Sequence, residues 1–327
     1  MSTLSLRAGG RARRTTGLVA CLTFAGAIVA ACGSGTSTST TNSPAPSVGG
    51  SGSAGLAASS IVHVVAGENF WGNIAEQIGG SHIAVTSIIS DPNADPHTYE
   101  TDPKDAAAIS AASFVILNGV GYDDFASKLL SASPKASRTV ITIQKVAHVT
   151  GSNPNPHLWY DPTYVKDAAD AITVALSKAD PADATTFTAN EKAFLTAYQP
   201  YVDELAKIKA KYAGTKISYT ERVPGYLVQT AGLVLGTPAS FSQAVEDGTD
   251  PSPGDTATFN ADITGHRVKL LLYNGQVTDP QTDKIKALAK SARVPIVAVN
   301  ETLPPNEKNF QTWQLDQAKQ IFAALGG

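Results

Sequence analysis

Two histidines sit in matching local settings. His97 lies in Asp95-Pro96-His97-Thr98-Tyr99-Glu100, and His157 lies in Asn155-Pro156-His157-Leu158-Trp159-Tyr160. A proline directly ahead of each ring restricts the backbone and helps fix where the imidazole points. Imidazole is the commonest transition-metal ligand among side chains. A lone histidine is ordinarily a surface or packing residue, and two without support carry little. The support comes from two acids that follow apolar runs: Glu221 in Thr220-Glu221-Arg222, and Glu301 in Asn300-Glu301-Thr302. Each could equally be a helix-start or loop carboxylate. Together the four residues supply one ligand from each of four loops. Two imidazoles and two carboxylates can enclose one divalent cation, and deep enclosure leaves no open position for catalysis. Asp279, in Val277-Thr278-Asp279-Pro280, is a rival fourth ligand, although a Thr-Asp-Pro turn is commonly a helix cap. His63, His82 and His266 read as packing or surface residues, and His148 as a loop residue or accessory cation contact.

The elements that must position these residues follow from apolar periodicity. Strands are expected at 61–66, 83–89, 114–117 and 139–143, with helices between them. Gly79-Gly80 stops the first helix, and Asp102-Pro103 opens the next. The middle is helical, from Pro162 to Ala179 and again from Pro181 to about Tyr212, with Pro200 a candidate kink. A helix of about 30 residues would run about 45 Å. Strand–helix alternation then resumes, with strands at 216–219, 268–273 and 295–299 and a final helix from Phe310. Residues 247–253 read as an acidic surface loop. The fold class is therefore α/β: two α/β lobes with mainly parallel sheets, joined by a long rigid α-helix. The divisions are 61–179 for the first lobe, 180–213 for the linking helix and 214–327 for the second lobe. Ligands in open α/β sheets bind beyond the carboxyl ends of strands, which points to the cleft between the lobes.

The N-terminus reads as an address. Arg11, Arg13 and Arg14 precede an apolar stretch, Gly17 to Ala31, that ends in small residues. This is signal-peptide architecture over residues 1–31. Val29-Ala30-Ala31-Cys32 looks like a bacterial lipobox, so Cys32 is expected to be lipidated and to become the mature N-terminus. Residues 32–60 are almost wholly Gly, Ser, Thr, Pro and Ala after that cysteine, a flexible linker with a root-mean-square reach of about 30 Å. The expected location is extracytoplasmic, on the outer face of the cytoplasmic membrane.

Composition narrows the class. The 327 residues carry a net charge of −3, with 43% hydrophobic and 16% charged residues, a globular balance. Two cysteines, one of them inside the apolar leader, exclude a disulfide-stapled scaffold. No later apolar run approaches the roughly 20 residues of a membrane span. The acidic balance and the lack of a basic stripe argue against nucleic acid as a partner.

From Ile61 to the C-terminus the chain resembles the metal-binding receptors of ABC importers, the cluster that carries manganese, zinc or iron(II). The two Pro-His motifs match that family closely. Glu221, ahead of Gly225-Tyr226-Leu227, falls at its third ligand position. Glu301 falls where the family usually has Asp, a departure by one methylene. The resemblance implies a lipoprotein that hands one divalent metal to an ABC permease, is not an enzyme, and is most simply a monomer. Two carboxylates make a harder site than three histidines, which ranks Mn²⁺ first, yet Zn²⁺ stands above Mn²⁺ in intrinsic affinity and comes next. The His-rich loop often carried by zinc-specific members is absent. A secreted metalloenzyme is the first alternative, but no His-Glu-x-x-His or Gly-x-Ser-x-Gly motif occurs. A receptor for an organic solute, with Trp71 and Trp159 as walls, and an adhesin are the others.

Overall fold

A computed structural model describes residues 61–92, 94, 99–276 and 279–327. Eight strands and eleven α-helices alternate through these residues. The strands form two four-stranded sheets, both wholly parallel. The first contains β1 (Val62–Glu68), β2 (Ile83–Ile89), β3 (Phe114–Leu117) and β4 (Thr139–Thr142) in the order β2-β1-β3-β4. The second contains β5 (Lys216–Tyr219), β6 (Val234–Leu235), β7 (Leu271–Asn274) and β8 (Ile296–Val299) in the order β6-β5-β7-β8. The two windings are the same. In each, the chain crosses outward on one side of the first strand and then returns to its other side. Each sheet therefore has a switch point, between β1 and β3 in one and between β5 and β7 in the other, where a crevice opens beyond the strand ends.

The helix boundaries have local causes. Helix α1 (Asn69–Gly79) ends at Gly80, whose φ of 55° suits a residue with no Cβ. Asp102 caps α2 (Pro103–Ala111) in a capping box with Asp105, and Pro103 fills the first turn. Helix α3 (Asp124–Ala132) and the single turn α4 (Ile143–Val146) flank β4. Asp161 caps α5 (Pro162–Ala179) in the same Asp-Pro manner. A 3-10 turn at Pro181–Asp183 leads into α6 (Ala184–Tyr212), 29 residues long, which passes through Pro200 as one helix. The second half adds α7 (Gly225–Thr230), α8 (Ala239–Glu246), α9 (Pro253–Thr264), α10 (Pro280–Ser291) and α11 (Phe310–Ala324). The acidic segment at 247–250 is exposed, as expected of a surface loop.

Helix α6 packs on α1 and α5 from the first half and on α11 from the second. Its buried face is Phe187, Phe194, Tyr198, Tyr201, Leu205 and Ile208, at helical spacing. The largest buried cluster runs without interruption from Val64, Phe70 and Trp159 through this face to Ile217, Leu272 and Phe310. One core therefore serves both sheets. A smaller cluster around Phe241, Phe259 and Ile285 fills the outer side of the second sheet. Among the described residues no helix is long and apolar enough to cross a membrane.

Candidate metal site

Three of the four candidate ligands lie among the described residues, and all three are buried: His157 at 0% exposure, Glu221 at 4% and Glu301 at 1%. His97 and Cys32 lie outside the described residues. Glu221 follows β5, at the switch point of the second sheet, and Glu301 follows β8. His157 leads into a turn at Leu158–Tyr160 that enters α5. Its Nε2 stands 3.0 Å from Glu301 Oε1.

The imidazole is held from behind. Asn155 Oδ1 accepts the His157 backbone N–H at 3.1 Å and lies 2.6 Å from Nδ1. The amide of Asn155 is oriented by its own Nδ2, which donates to the Arg222 carbonyl at 2.8 Å. Nδ1 thus carries a hydrogen, and in the neutral ring Nε2 would present a lone pair toward the Glu301 carboxylate. A lone pair and a carboxylate oxygen are both acceptors. Only a cation between them, a proton or a metal ion, makes the contact attractive. Asn155 also sets the loop of Glu221: a Cβ on Gly225 would lie 2.5 Å from Asn155 Nδ2, so glycine lets the two segments meet. The next residue in that loop, Arg222, grips buried Glu246 of α8 through Nε at 3.0 Å and a terminal nitrogen at 2.6 Å.

The carboxylates are joined by a residue that no metal-ligand pattern marks. Asn274, the last residue of β7, donates from Nδ2 to Glu221 Oε2 at 3.1 Å and to Glu301 Oε2 at 2.8 Å. Gln276, two residues on, accepts the backbone N–H groups of Glu301 and Thr302 at 2.8 Å each and donates to the Thr302 carbonyl at 3.0 Å. The polar end of an otherwise apolar strand was the available sequence signal for Asn274. Asp279 behaves differently. Its carboxylate accepts from Gln281 N at 2.6 Å, Thr282 N at 2.9 Å and Thr282 Oγ1 at 2.8 Å, capping α10.

Aromatic rings wall the His157 side. Trp159 stacks on Phe70 with centroids 4.0 Å apart, and His157 meets both Trp159 and Tyr122 edge-on. The Tyr122 hydroxyl is 3.5 Å from Glu301 Oε1. At the first sheet's switch point stand Glu68 and Asn118, both fully buried. Asn118 donates to the Pro156 carbonyl at 2.8 Å and accepts from Trp71 Nε1 at 3.1 Å, which ties β3 to the His157 loop. Burial, and then the nearby Asp123 charge, push the Glu68 carboxyl well above the usual range. Burial likewise raises Asp123 to about 6, although the backbone N–H groups of Asn118 and Gly119 stabilise its charged form. A second His-carboxylate group, His82 with Asp180 and Asp183, lies at the other ends of the strands, ahead of β2. His82 Nδ1 pairs with Asp183 Oδ2 at 2.9 Å there, and its ring meets Phe187 edge-on. His148 is exposed, in a groove with Thr139, Ile141 and Val174 beside β4.

A family profile described as zinc-uptake complex component A, periplasmic (ZnuA), matches residues 64–324. The chain belongs to this family. It is 27% identical over 164 residues to the manganese-binding lipoprotein MntA of Bacillus subtilis (strain 168), a match covering 48% of this chain and 53% of that protein. With the high-affinity zinc uptake system protein ZnuA of the same strain it is 24% identical over 249 residues, covering 71% and 76%. The chain spans about half the length of the manganese- and iron-binding relatives it matches. Solved structures share the fold. A periplasmic metal binding protein from Candidatus Liberibacter asiaticus gives a TM-score of 0.67 at 18% identity, covering 81% of this chain and 99% of that one. A crystal structure of ZnuA gives 0.65 at 20% identity, covering 81% and 97%. This ZnuA-family chain is thus an α/β protein of two parallel sheets.

Proposed function

We propose that the chain is an extracytoplasmic receptor that captures one divalent transition metal, manganese or zinc, and delivers it to an ABC permease for import. The ligands would be His97, His157, Glu221 and Glu301. The observation that carries this reading is the buried contact of His157 Nε2 with Glu301 Oε1, with Nδ1 already committed to Asn155. A metal ion between these two groups would satisfy both at once. Family membership and relatives named for binding manganese, zinc or iron support the cargo class. In this reading residues 1–31 are a leader and Cys32 is the lipidated N-terminus. Residues 61–179 and 214–327 are lobes about the helix of 180–213, and the receptor works as a monomer without catalytic turnover. The protein would hold the ion in a dry, aromatic-walled site and release it when docking draws one pair of ligands from the other.

The test is calorimetric titration of chelator-stripped protein with Mn²⁺ and Zn²⁺, alongside His157→Ala. One-to-one binding that the substitution abolishes is the expected result. A wild-type protein that takes up no first-row ion would overturn the reading and favour an organic solute instead.

A further inference from the structure

Resting on that metal-receptor reading, we propose that α8 is a brace for the ligand loops. Its Ser242 and Glu246 are positioning residues that fix the backbone on either side of Glu221, and so set how long an ion stays bound. Glu221 lies two residues past the end of β5. A ligand on a loop keeps its geometry only where hydrogen bonds or packing lock the backbone that carries it. Helix α8 supplies such bonds before and after it. Ser242 Oγ donates to the Tyr219 carbonyl at 2.8 Å, two residues ahead of Glu221. Glu246 Oε2 accepts the Arg222 backbone N–H at 3.0 Å, one residue behind it. Ser242 and Glu246 are four apart, so they share one face of the helix, and both are buried.

The Arg222 guanidinium reinforces the second bond. Its Nε reaches the same Oε2 at 3.0 Å, and a terminal nitrogen reaches Oε1 at 2.6 Å. Glu246 thus holds residue 222 by main chain and side chain together, in a charge-assisted grip with two prongs. The brace extends to the histidine. The Arg222 carbonyl accepts from Asn155 Nδ2 at 2.8 Å, and Asn155 Oδ1 lies 2.6 Å from His157 Nδ1. Gln243 of α8 reaches the same loop by a second route: its Oε1 accepts from Asn153 Nδ2 at 3.0 Å, while its Nε2 donates to Asp247 Oδ1 at 2.8 Å. One helix therefore touches the loops that carry Glu221 and His157. An ion gains most from ligands already in place, because binding then spends little on ordering them. Slack in α8 would return that cost and shorten the ion's stay.

The experiment compares the wild-type chain, stripped of metal, with Glu246→Gln and Ser242→Ala. Glu246→Gln keeps the shape but turns one acceptor oxygen into an amide donor facing Arg222. Stopped flow follows the loss of Zn²⁺ to excess chelator, and Co²⁺ absorption bands report the geometry around the ion. The expected result is Zn²⁺ release about 10-fold faster in Glu246→Gln, a smaller acceleration in Ser242→Ala, little change in association, and shifted Co²⁺ bands in both. Lower melting temperatures with wild-type release rates and wild-type Co²⁺ bands would mark both residues as merely structural and overturn the proposal. Amide exchange in the metal-free wild type needs no variant to fold. The Arg222 N–H is expected to be protected there, and fast exchange at that position would equally overturn the brace. Wild-type protein that binds neither Zn²⁺ nor Co²⁺ fails the receptor reading itself, which is a different outcome from a shifted or unshifted release rate.

Discussion

Asn69 and Leu303 exchange two hydrogen bonds: Asn69 Nδ2 donates to the Leu303 carbonyl at 2.9 Å, and the Leu303 N–H donates to Asn69 Oδ1 at 2.9 Å. The first residue of α1 thereby holds the loop that carries Glu301. Further along the same face, Asn73 accepts the Phe310 N–H, and Gln77 exchanges bonds with Gln311. Asn69, Asn73 and Gln77 lie four residues apart, so one stripe of α1 fastens the Leu303 loop and the start of α11. Asn69→Ala removes both bonds to Leu303. Urea unfolding is expected to show a loss of about 1–3 kcal/mol, and amide exchange is expected to quicken at 301–303 and not in β1–β4. Unchanged exchange at Leu303 would count against the clamp.

Asn155 fixes the tautomer of His157 and also reaches across to Arg222. Asn155→Ala is therefore expected to weaken metal binding by about 10–100-fold, the usual cost of losing a partner behind a ligand. Titration of the purified variant measures this. An affinity equal to wild type would mean that packing against Trp159 alone sets the ring.

Glu68 is buried with neither carboxylate oxygen hydrogen-bonded, and its carboxyl titrates well above the usual range. The folded state therefore binds this proton more tightly than the unfolded chain does. Its contribution to stability is full below the unfolded value and is lost as pH rises through the raised folded value. Glu68→Gln is neutral throughout. Metal-free protein carrying it is expected to gain stability over wild type as pH rises toward 8, with the gap narrowing toward pH 4. Thermal melts across that range check it, and parallel curves for the two proteins would refute the assignment.

Because one core serves both sheets, metal uptake is expected to leave the overall dimensions nearly unchanged. Small-angle scattering with and without Zn²⁺ measures this. A large compaction on binding would show that the halves move as hinged bodies.

Much of this architecture is legible in the residues. The run Ile83–Ile89 is a strand bracketed by Gly79-Gly80, and Asp-Pro pairs mark the starts of α2, α5 and α10. Helix α9 escapes because its first turns are Gly254, Asp255, Thr256 and Ala257. Only Phe259, Asp262 and Ile263 are buried, too few to make a periodic signal. Strand β6 is two residues long and exists only through its pairing with β5. The run 268–273 begins at Val268, but the strand spans Leu271–Asn274, so its polar last residue falls outside the apolar run. Glu221 and Glu301 stand out as acids after apolar runs, and His157 as an imidazole directly behind a proline. Asn274 does not, because an amide at a strand end reads as a turn residue. Its partners lie 53 and 27 residues away, and only the folded chain brings them together.

The amide stripe on α1 bears on how such a receptor would be read by a membrane partner. Outline is a poor signal in a molecule whose halves are stitched through Asn69 to Leu303 and through Asn73 and Gln77 to the start of α11. What an ion would change is the restraint on a few short loops: 155–158, 221–225 and 300–303. A partner that grips those loops would sense stiffness rather than silhouette. It would also find the empty receptor the softer of the two to hold.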